Sequence, residues 1–230
     1  MRHKKVSIIT LSLLFLCIFL IAVFNISKAN NQAADNPDRE EVETKAVCLL
    51  GAKVKSFPVY VYNDGNSGEN KFFPTGMMGD INDSWINSYC KESPYAGSSC
   101  IKIVYKKKAG QIYHWTGLYW QAPANNWSPG SQPGYDLTGA TTLTFWARGE
   151  NGGETVDFMI GGDQGNSFRK IMSSETLSEE WIKYSVDLSN ADLSNVGWGF
   201  GVKILPVRES STANSGTVSV YLDDIEYHFD

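Results

Sequence analysis

Pairs of carboxylates are the first residues in this sequence that could do chemistry, because glycoside hydrolysis needs an acid and a second carboxylate at a defined separation. Glu154 and Asp157 lie in a segment with strand-like alternation, and their spacing places them on opposite faces of a strand. The sequence has no GxSxG motif, and past residue 46 only His114 and His228 could act as a histidine base. These residue types favour binding over catalysis.

Aromatic and planar polar side chains offer better material for binding. A sugar ring packs its C–H face on an aromatic plane, while its hydroxyls bond to amides, carboxylates and guanidinium groups. We predict that the face of the strands opposite the core contacts a ligand through six residues: Tyr119, Asn126, Trp127, Trp146, Arg148 and Asp157. Glycines 197, 199 and 201 are expected to leave an open groove on that face, and Trp120, Trp181 and Trp198 to lie in the core.

Short runs of alternating apolar and polar residues, separated by Gly, Pro, Asn, Asp and Ser, must position these side chains. Val156, Phe158 and Ile160 share one face of such a run, and the pattern recurs in the runs that begin at Cys100, Leu143, Ile182 and Trp198. Runs with a single apolar face are typical of antiparallel strands in a two-layer sandwich. The sequence therefore predicts an all-β fold, a jelly roll with two antiparallel sheets.

The last run changes phase. Val218, Val220 and Leu222 occupy even positions, but Ile225 and Tyr227 occupy odd ones. Because a strand repeats every two residues, this slip predicts a β-bulge at residues 223–224.

The first 46 residues are unlike the rest. Residues 1–29 combine a basic head, an uncharged apolar run over 6–26 and a Ser-Lys-Ala end, a pattern that predicts a signal peptide or an uncleaved N-terminal membrane helix. Residues 30–46 form an acidic linker, and 47–230 are long enough for one β-sandwich domain. Both readings of the first segment place the domain in the secreted, periplasmic or cell-surface compartment.

Charge and cysteine content further restrict the partners and the disulfide bonds that this protein can have. The formal net charge of −5 argues against a nucleic-acid partner, which needs clustered Lys and Arg. Export permits disulfides. Cys90 and Cys100, close in sequence and separated by turn formers, are the preferred pair, which leaves Cys48 as an odd thiol.

The order of motifs from Leu143 to Tyr227 is LTFWARG, ETVDFMIGG, LSEEWIKYSVDLS, VGWGFGVKI and VYLDDIEY. This order resembles the galactose-binding-like jelly rolls of carbohydrate-binding modules, such as those of families 4, 11 and 30. The upstream segments VYVYNDGNSGENKFFPTGMMGDINDS and YWQAPANNW resemble a group of uncharacterised exported bacterial proteins with the same jelly roll. The first resemblance implies an oligosaccharide or polysaccharide partner, and the second implies only location and fold.

The resemblance also implies a structural calcium (Ca2+) held by carboxylates of the closing strand, here Asp223 or Asp224. The phase slip agrees, because adjacent carboxylates at a bulge need a cation or hydrogen-bond donors. Asp64 lies in a segment rich in the oxygen ligands that calcium prefers, although an ordinary Asx-turn loop explains that segment equally well.

Three functions remain open from the sequence. The first is a non-catalytic glycan-binding module that stacks aromatic side chains on sugar. The second is a surface or structural interaction domain with no small ligand. The third is a polysaccharide-active enzyme.

Overall fold

The computed structural model describes residues 57–128, 132–162, 168–205 and 216–229. The predicted signal or anchor (1–29, with its possible tether 6–26), the linker (30–46) and Cys48 lie outside the described residues. Within them, no helix is both long enough and apolar enough to cross a bilayer.

Eleven strands and one 3-10 turn (Ile81–Asp83) make up the regular structure of the described residues. The strands are β1 (Val59–Tyr62), β2 (Phe73–Gly79), β3 (Ser84–Cys90), β4 (Cys100–Lys107), β5 (Thr116–Gln121), β6 (Thr142–Gly149), β7 (Thr155–Gly161), β8 (Arg169–Thr176), β9 (Ile182–Asp187), β10 (Trp198–Ile204) and β11 (Gly216–His228).

The strands form two antiparallel sheets, which we call sheet A and sheet B. Sheet A has six strands in the order β3-β4-β11-β6-β9, with β1 also paired to β11, and sheet B has five in the order β2-β5-β10-β7-β8. The predicted all-β sandwich is therefore confirmed.

The core lies between the two sheets and follows the alternation of the sequence. Phe145 of sheet A meets Phe158 of sheet B at 4.6 Å between ring centroids and Phe200 of sheet B at 4.9 Å. All three residues are 0% exposed. The apolar face of each run thus faces the opposite sheet, which leaves an outer face on each sheet.

The predicted bulge in β11 is also present. The register of β11 against β6 shifts between Asp223 and Glu226, and Asp224 has a positive φ of 44°. Val220 and Leu222 before the shift, and Ile225 and Tyr227 after it, are all fully buried. The extra residue keeps both halves of the strand facing the core.

Other expectations were wrong in detail. The aromatic run Ile112–Gln121 predicts a strand over its whole length, but β5 begins at Thr116 and Ile112 is 83% exposed in the preceding loop. Strands β2, β3 and β8 were not predicted. They lie at or next to sheet edges, and two of them carry mixed or polar residues on both faces, so their alternation is weak.

Candidate functional site

The six predicted ligand residues do not share one face, because their strands belong to different sheets. Trp146 and Arg148 lie on β6 in sheet A, while Tyr119 and Asp157 lie on β5 and β7 in sheet B. The expectation of a single ligand face formed by all six is therefore wrong. Arg148 and Asp157 could pair only if β6 and β7 were neighbouring strands, and they lie in different sheets. Asp157 instead faces Lys203 at 3.7 Å.

The outer face of sheet B carries an aromatic layer. Tyr119 of β5 and Trp198 of β10 approach to 4.7 Å between ring centroids, and Met159 of β7 packs beside them. These three side chains are only 5%, 8% and 8% exposed, with Met78 of β2 packed against them. The layer is tightly packed on the side of sheet B away from the inter-sheet core, and little of its surface reaches solvent.

Trp198 reaches this face through a bulge that the sequence did not reveal. Its run alternates as if Trp198 and Phe200 shared the core face, but the pairing with β5 shifts between them. Phe200 stays in the core, while Trp198 turns outward and donates from Nε1 to the carbonyl oxygen of Asn126 at 2.7 Å. Trp198 is buried as predicted, at 8% exposure, but it packs with Tyr119 and Met159 and not between the sheets, because an extra residue, Gly199, enters the strand.

Trp127 forms a corner with Trp198 at one end of the layer. The two ring centroids are 6.0 Å apart and the ring planes meet at 80°, and Trp127 is 39% exposed. Asn126 is 3% exposed and donates from Nδ2 to the carbonyls of Ala122 and Gln132, at 2.9 and 3.0 Å. Asn126 therefore holds the loop that positions Trp127, and its amide is used for that purpose.

The opposite end of the layer carries Trp115, Lys203 and Asp157. The Lys203 ammonium lies 4.9 Å from the centroid of the half-buried Trp115 ring. Asp157 accepts a hydrogen bond from the backbone N–H of Ser174 at 2.9 Å, and its second oxygen faces Lys203. Trp115 was not singled out from the sequence, where it belongs to the aromatic run Ile112–Gln121; it lies in the loop just before β5.

The two ends of the aromatic layer lie apart along the direction of the strands. In the pairing of β10 with β5, Trp198 is opposite Gln121 and Lys203 is opposite Gly117. Four residues of strand correspond to roughly 13 Å at about 3.3 Å per residue. An extended ligand lying along β5 would meet the exposed Trp127 at one end and the half-buried Trp115 at the other, with the nearly buried Trp198 and Tyr119 beneath it.

The glycines expected to open a groove have other roles. A Cβ on Gly201 would lie 2.5 Å from Cδ1 of Tyr119, so the tyrosine ring covers this glycine. A Cβ on Gly199 would lie 2.6 Å from Phe72, on the core side. These two glycines admit aromatic rings of the protein itself, and the expectation that they leave an open groove is wrong.

The outer face of sheet A is covered in part by residues 91–98, which we call the β3–β4 loop. Tyr95 of this loop lies flat on Trp146, with ring centroids 3.6 Å apart and an interplanar angle of 16°. The guanidinium of Arg148 lies 3.7 Å from the Tyr221 ring centroid and donates to the Glu92 carbonyl at 3.0 Å. Trp181, expected in the core, packs at this outer face instead.

The proposed calcium ligands lie near the same loop, where hydrogen-bond donors reach two of them. Asp223 is fully buried, accepts from the backbone N–H groups of Tyr95 and Asp224 at 2.9 and 3.0 Å, and has a pKa raised to about 7 by burial. Asp64 accepts from the N–H of Ser98 at 2.7 Å and from the hydroxyl of Ser99. These hydrogen bonds lower the pKa of Asp64 to about 2.

Asp64, Asp223 and Asp224 are not arranged as a set of calcium ligands. Calcium takes six or more oxygen ligands. Among the residues that the structure describes, no three Asp, Glu, His or Cys side chains are grouped so that they could hold a metal ion. As they stand, Asp64, Asp223 and Asp224 do not form a calcium cage, and calcium binding stays a prediction.

The two cysteines of the predicted disulfide face each other but are not bonded. Cys90 and Cys100 are opposite residues in the pairing of β3 with β4, and they are 2% and 0% exposed. Both are free thiols, so the predicted disulfide is absent, although the predicted proximity is right. Burial raises the pKa of the Cys100 thiol to about 12, which keeps it protonated at neutral pH.

Comparison with known proteins gives structural neighbours only. No family model matches the sequence, and no curated protein sequence matches it. A family 30 carbohydrate-binding module aligns with a TM-score of 0.48 and 13% identity, over 76% of this chain and 99% of that chain. A family 11 module from Clostridium thermocellum, in complex with a β-1,3-1,4-mixed-linked tetrasaccharide, aligns with a TM-score of 0.42 and 13% identity, over 73% and 94%. The CBM22-1 xylan-binding domain of Xyn10C from Paenibacillus barcinonensis aligns with a TM-score of 0.44 and 11% identity, over 77% and 96%.

Proposed function

We propose that this protein is a non-catalytic glycan-binding domain that holds an oligosaccharide or polysaccharide on the outer face of sheet B. One observation carries the proposal: four aromatic side chains follow one another along that face, at Trp127, Trp198, Tyr119 and Trp115. The Trp127 ring is 39% exposed and stands at 80° to the Trp198 ring, which is 8% exposed, so a sugar in the corner would stack on Trp127 and touch only the edge of Trp198 that reaches solvent. The Lys203–Asp157 pair supplies polar partners for hydroxyl groups.

The proposal treats binding as the whole activity. Hydrolysis of a glycoside needs two carboxyl groups free to act on the same bond. Asp157 is engaged with Ser174 and Lys203, and Oε1 of Glu154 accepts from the N–H groups of Glu150 and Asn151 at 3.0 and 2.9 Å. These contacts support positioning roles for both carboxylates.

We also propose export, with the apolar segment 6–26 as a signal peptide or tether. The basic head and the Ser-Lys-Ala sequence that ends at residue 29 support this assignment. N-terminal sequencing of the mature protein tests it: a start at residue 30 indicates cleavage, and a start at residue 1 or 2 indicates a retained anchor.

The glycan proposal is tested by titrating the full chain with a panel of soluble glucans, xylans, mannans and galactans, followed by tryptophan fluorescence and calorimetry. For the best ligand, Trp127→Ala should weaken binding roughly tenfold, which corresponds to about 1.4 kcal/mol. Trp85→Ala is the matched control, because Trp85 is 52% exposed but lies on β3 in sheet A. The same affinity and the same number of sites in the Trp127 and Trp85 variants would rule out this face.

A structural or interaction domain without a small ligand is the second candidate. It is favoured by the near-complete burial of Tyr119, Trp198 and Met159 against one another, since such a layer also stabilises the sheet by itself. The same titration separates the two functions, because this candidate predicts no ligand in the panel.

A further inference from the structure

The outer face of sheet A carries a second aromatic corner. One face of the Tyr95 ring is covered by Trp146, yet 43% of Tyr95 stays exposed. The Trp181 ring stands beside it at 69°, with the centroids 6.4 Å apart. The geometry is close to that of Trp127 and Trp198 on the opposite sheet, at 80° and 6.0 Å.

Hydrogen bonds between the β3–β4 loop and sheet A, together with ring stacking, hold this corner in place. The N–H of Tyr95 donates to Asp223 at 2.9 Å, and the indole N–H of Trp181 donates to the carbonyl of Ser93 at 2.9 Å. The stacking of Tyr95 on Trp146 and the hydrogen bond of the Trp181 indole therefore hold both rings before any ligand arrives. Fixed rings lower the entropic cost of binding, because few rotamers are left to be lost.

Charged side chains surround the corner and offer groups that bind hydroxyls. Arg148 lies 5.2 Å from the Trp181 ring, between that ring and Tyr221. Glu92 has 58% of its side chain exposed and bonds Lys102 at 2.6 Å, and Glu150 lies 3.7 Å from the same lysine with 43% of its side chain exposed. The charges are paired, so the corner presents donors and acceptors with little net charge.

We propose that this corner is a second glycan-binding site, formed by Tyr95, Trp181 and Arg148 and separate from the site on sheet B. The inference rests on the proposed function, because the ligand class is the same. The two sheets cover opposite sides of the core, so the sites face away from each other and one domain bridges two polysaccharide chains, or two segments of one. Bridging raises the apparent affinity for a polymer above that for its short oligosaccharides.

The test uses the full chain, with mixed-linkage β-glucan and xylan as polymers and their short oligosaccharides as probes. Calorimetry with an oligosaccharide that binds should give two sites per chain. Tyr95→Ala and Trp127→Ala should each leave one site, and the double variant none. With the polymer, each single variant should lose at least tenfold in apparent affinity and stop the wild-type protein's precipitation of the polymer.

Tyr95→Phe is the matched control, because it keeps the ring on Trp146 and should keep both sites. The melting temperature of each variant shows whether the fold is retained, and Trp181→Ala offers a second route if Tyr95→Ala unfolds. A single site that Trp127→Ala removes and Tyr95→Ala or Trp181→Ala leaves intact would overturn this inference and leave the proposed function standing. A single site that depends on Tyr95 alone would overturn both the site on sheet B and the bridging of two polysaccharide segments. If neither polymer nor any oligosaccharide of the panel binds, both fall.

Discussion

Single side chains decide what the outer face of sheet B presents. Tyr119 lies over Gly201 because that residue has no Cβ, and the ring then meets Trp198. A hydrogen at position 201 is thus a requirement for the aromatic layer, and a methyl group there would occupy the volume of the ring.

Gly201→Ala is expected to displace the Tyr119 ring, because the new Cβ would lie 2.5 Å from its Cδ1 atom. We expect the free energy of unfolding to fall by about 1–3 kcal/mol and glycan affinity to fall with it. Urea denaturation and calorimetry measure the two effects. Gly216→Ala is the control, since a Cβ there has no heavy atom within 4 Å. Equal stability of the two variants would contradict this account of the layer.

Glu154 shows how a carboxylate that suggested chemistry serves the backbone. Its Oε1 accepts two N–H groups of the turn between β6 and β7, while its Oε2 is buried without a hydrogen-bond partner. Replacement by Ala would leave those two donors unsatisfied.

We therefore expect Glu154→Ala to lower the free energy of unfolding by about 1–3 kcal/mol, with a smaller loss for Glu154→Gln, which keeps the acceptor. Thermal and urea unfolding check this, with the exposed Glu180→Ala as control. A Glu154→Ala variant as stable as the control would show that the turn does not depend on this side chain.

At the scale of elements, period-two alternation predicted the strands with a clean apolar face and failed elsewhere. The bulge in β11 was visible because apolar residues continue on both sides of it. The bulge at Gly199 was hidden because Trp198 is apolar and fits either face. Periodicity also does not show which sheet a strand joins, so Trp146 and Asp157 were predicted to share a surface although β6 and β7 are in different sheets. Of the residues in the two proposed sites, Tyr119, Trp127 and Arg148 were predicted as ligand residues, whereas Trp115, Trp198, Tyr95 and Trp181 emerge only from the pairing of strands and the course of the loops.

The β3–β4 loop gives an element-scale test of calcium. If calcium binds as the sequence predicts, a chelator lowers the melting temperature and excess calcium restores it. If instead the backbone N–H groups of Tyr95, Asp224 and Ser98 are the only partners of the Asp223 and Asp64 carboxylates, we expect no change in the melting temperature. A melting temperature insensitive to chelator and to added calcium would end the calcium prediction.

At the scale of the whole molecule, the two sheets are joined by aromatic contacts through the core. Phe145 contacts Phe158 and Phe200 of the facing sheet and stacks on Tyr184 of its own sheet at 5.2 Å. A residue that bridges both layers at full burial couples their stability.

Phe145→Ala should therefore cost about 3–5 kcal/mol in free energy of unfolding and keep a single transition, because neither sheet retains a covered apolar face alone. Denaturant unfolding followed by tryptophan fluorescence and circular dichroism checks this. Phe73→Ala, at a residue 49% exposed, should change stability by less than about 0.5 kcal/mol. Two separate transitions in the Phe145 variant would show that the layers unfold independently.

The position of β11 has a consequence for the newly made chain. This strand lies between β4 and β6 and also pairs with β1, yet it follows all three in sequence. While the polypeptide is still being synthesised, the backbone N–H and C=O groups with which these three strands pair to β11 have no strand partner. They gain one only when the segment beginning at residue 216 emerges. Assembly of sheet A is thus a late step of biogenesis, and a nascent form that stalls before that segment would be a substrate for chaperones and proteases.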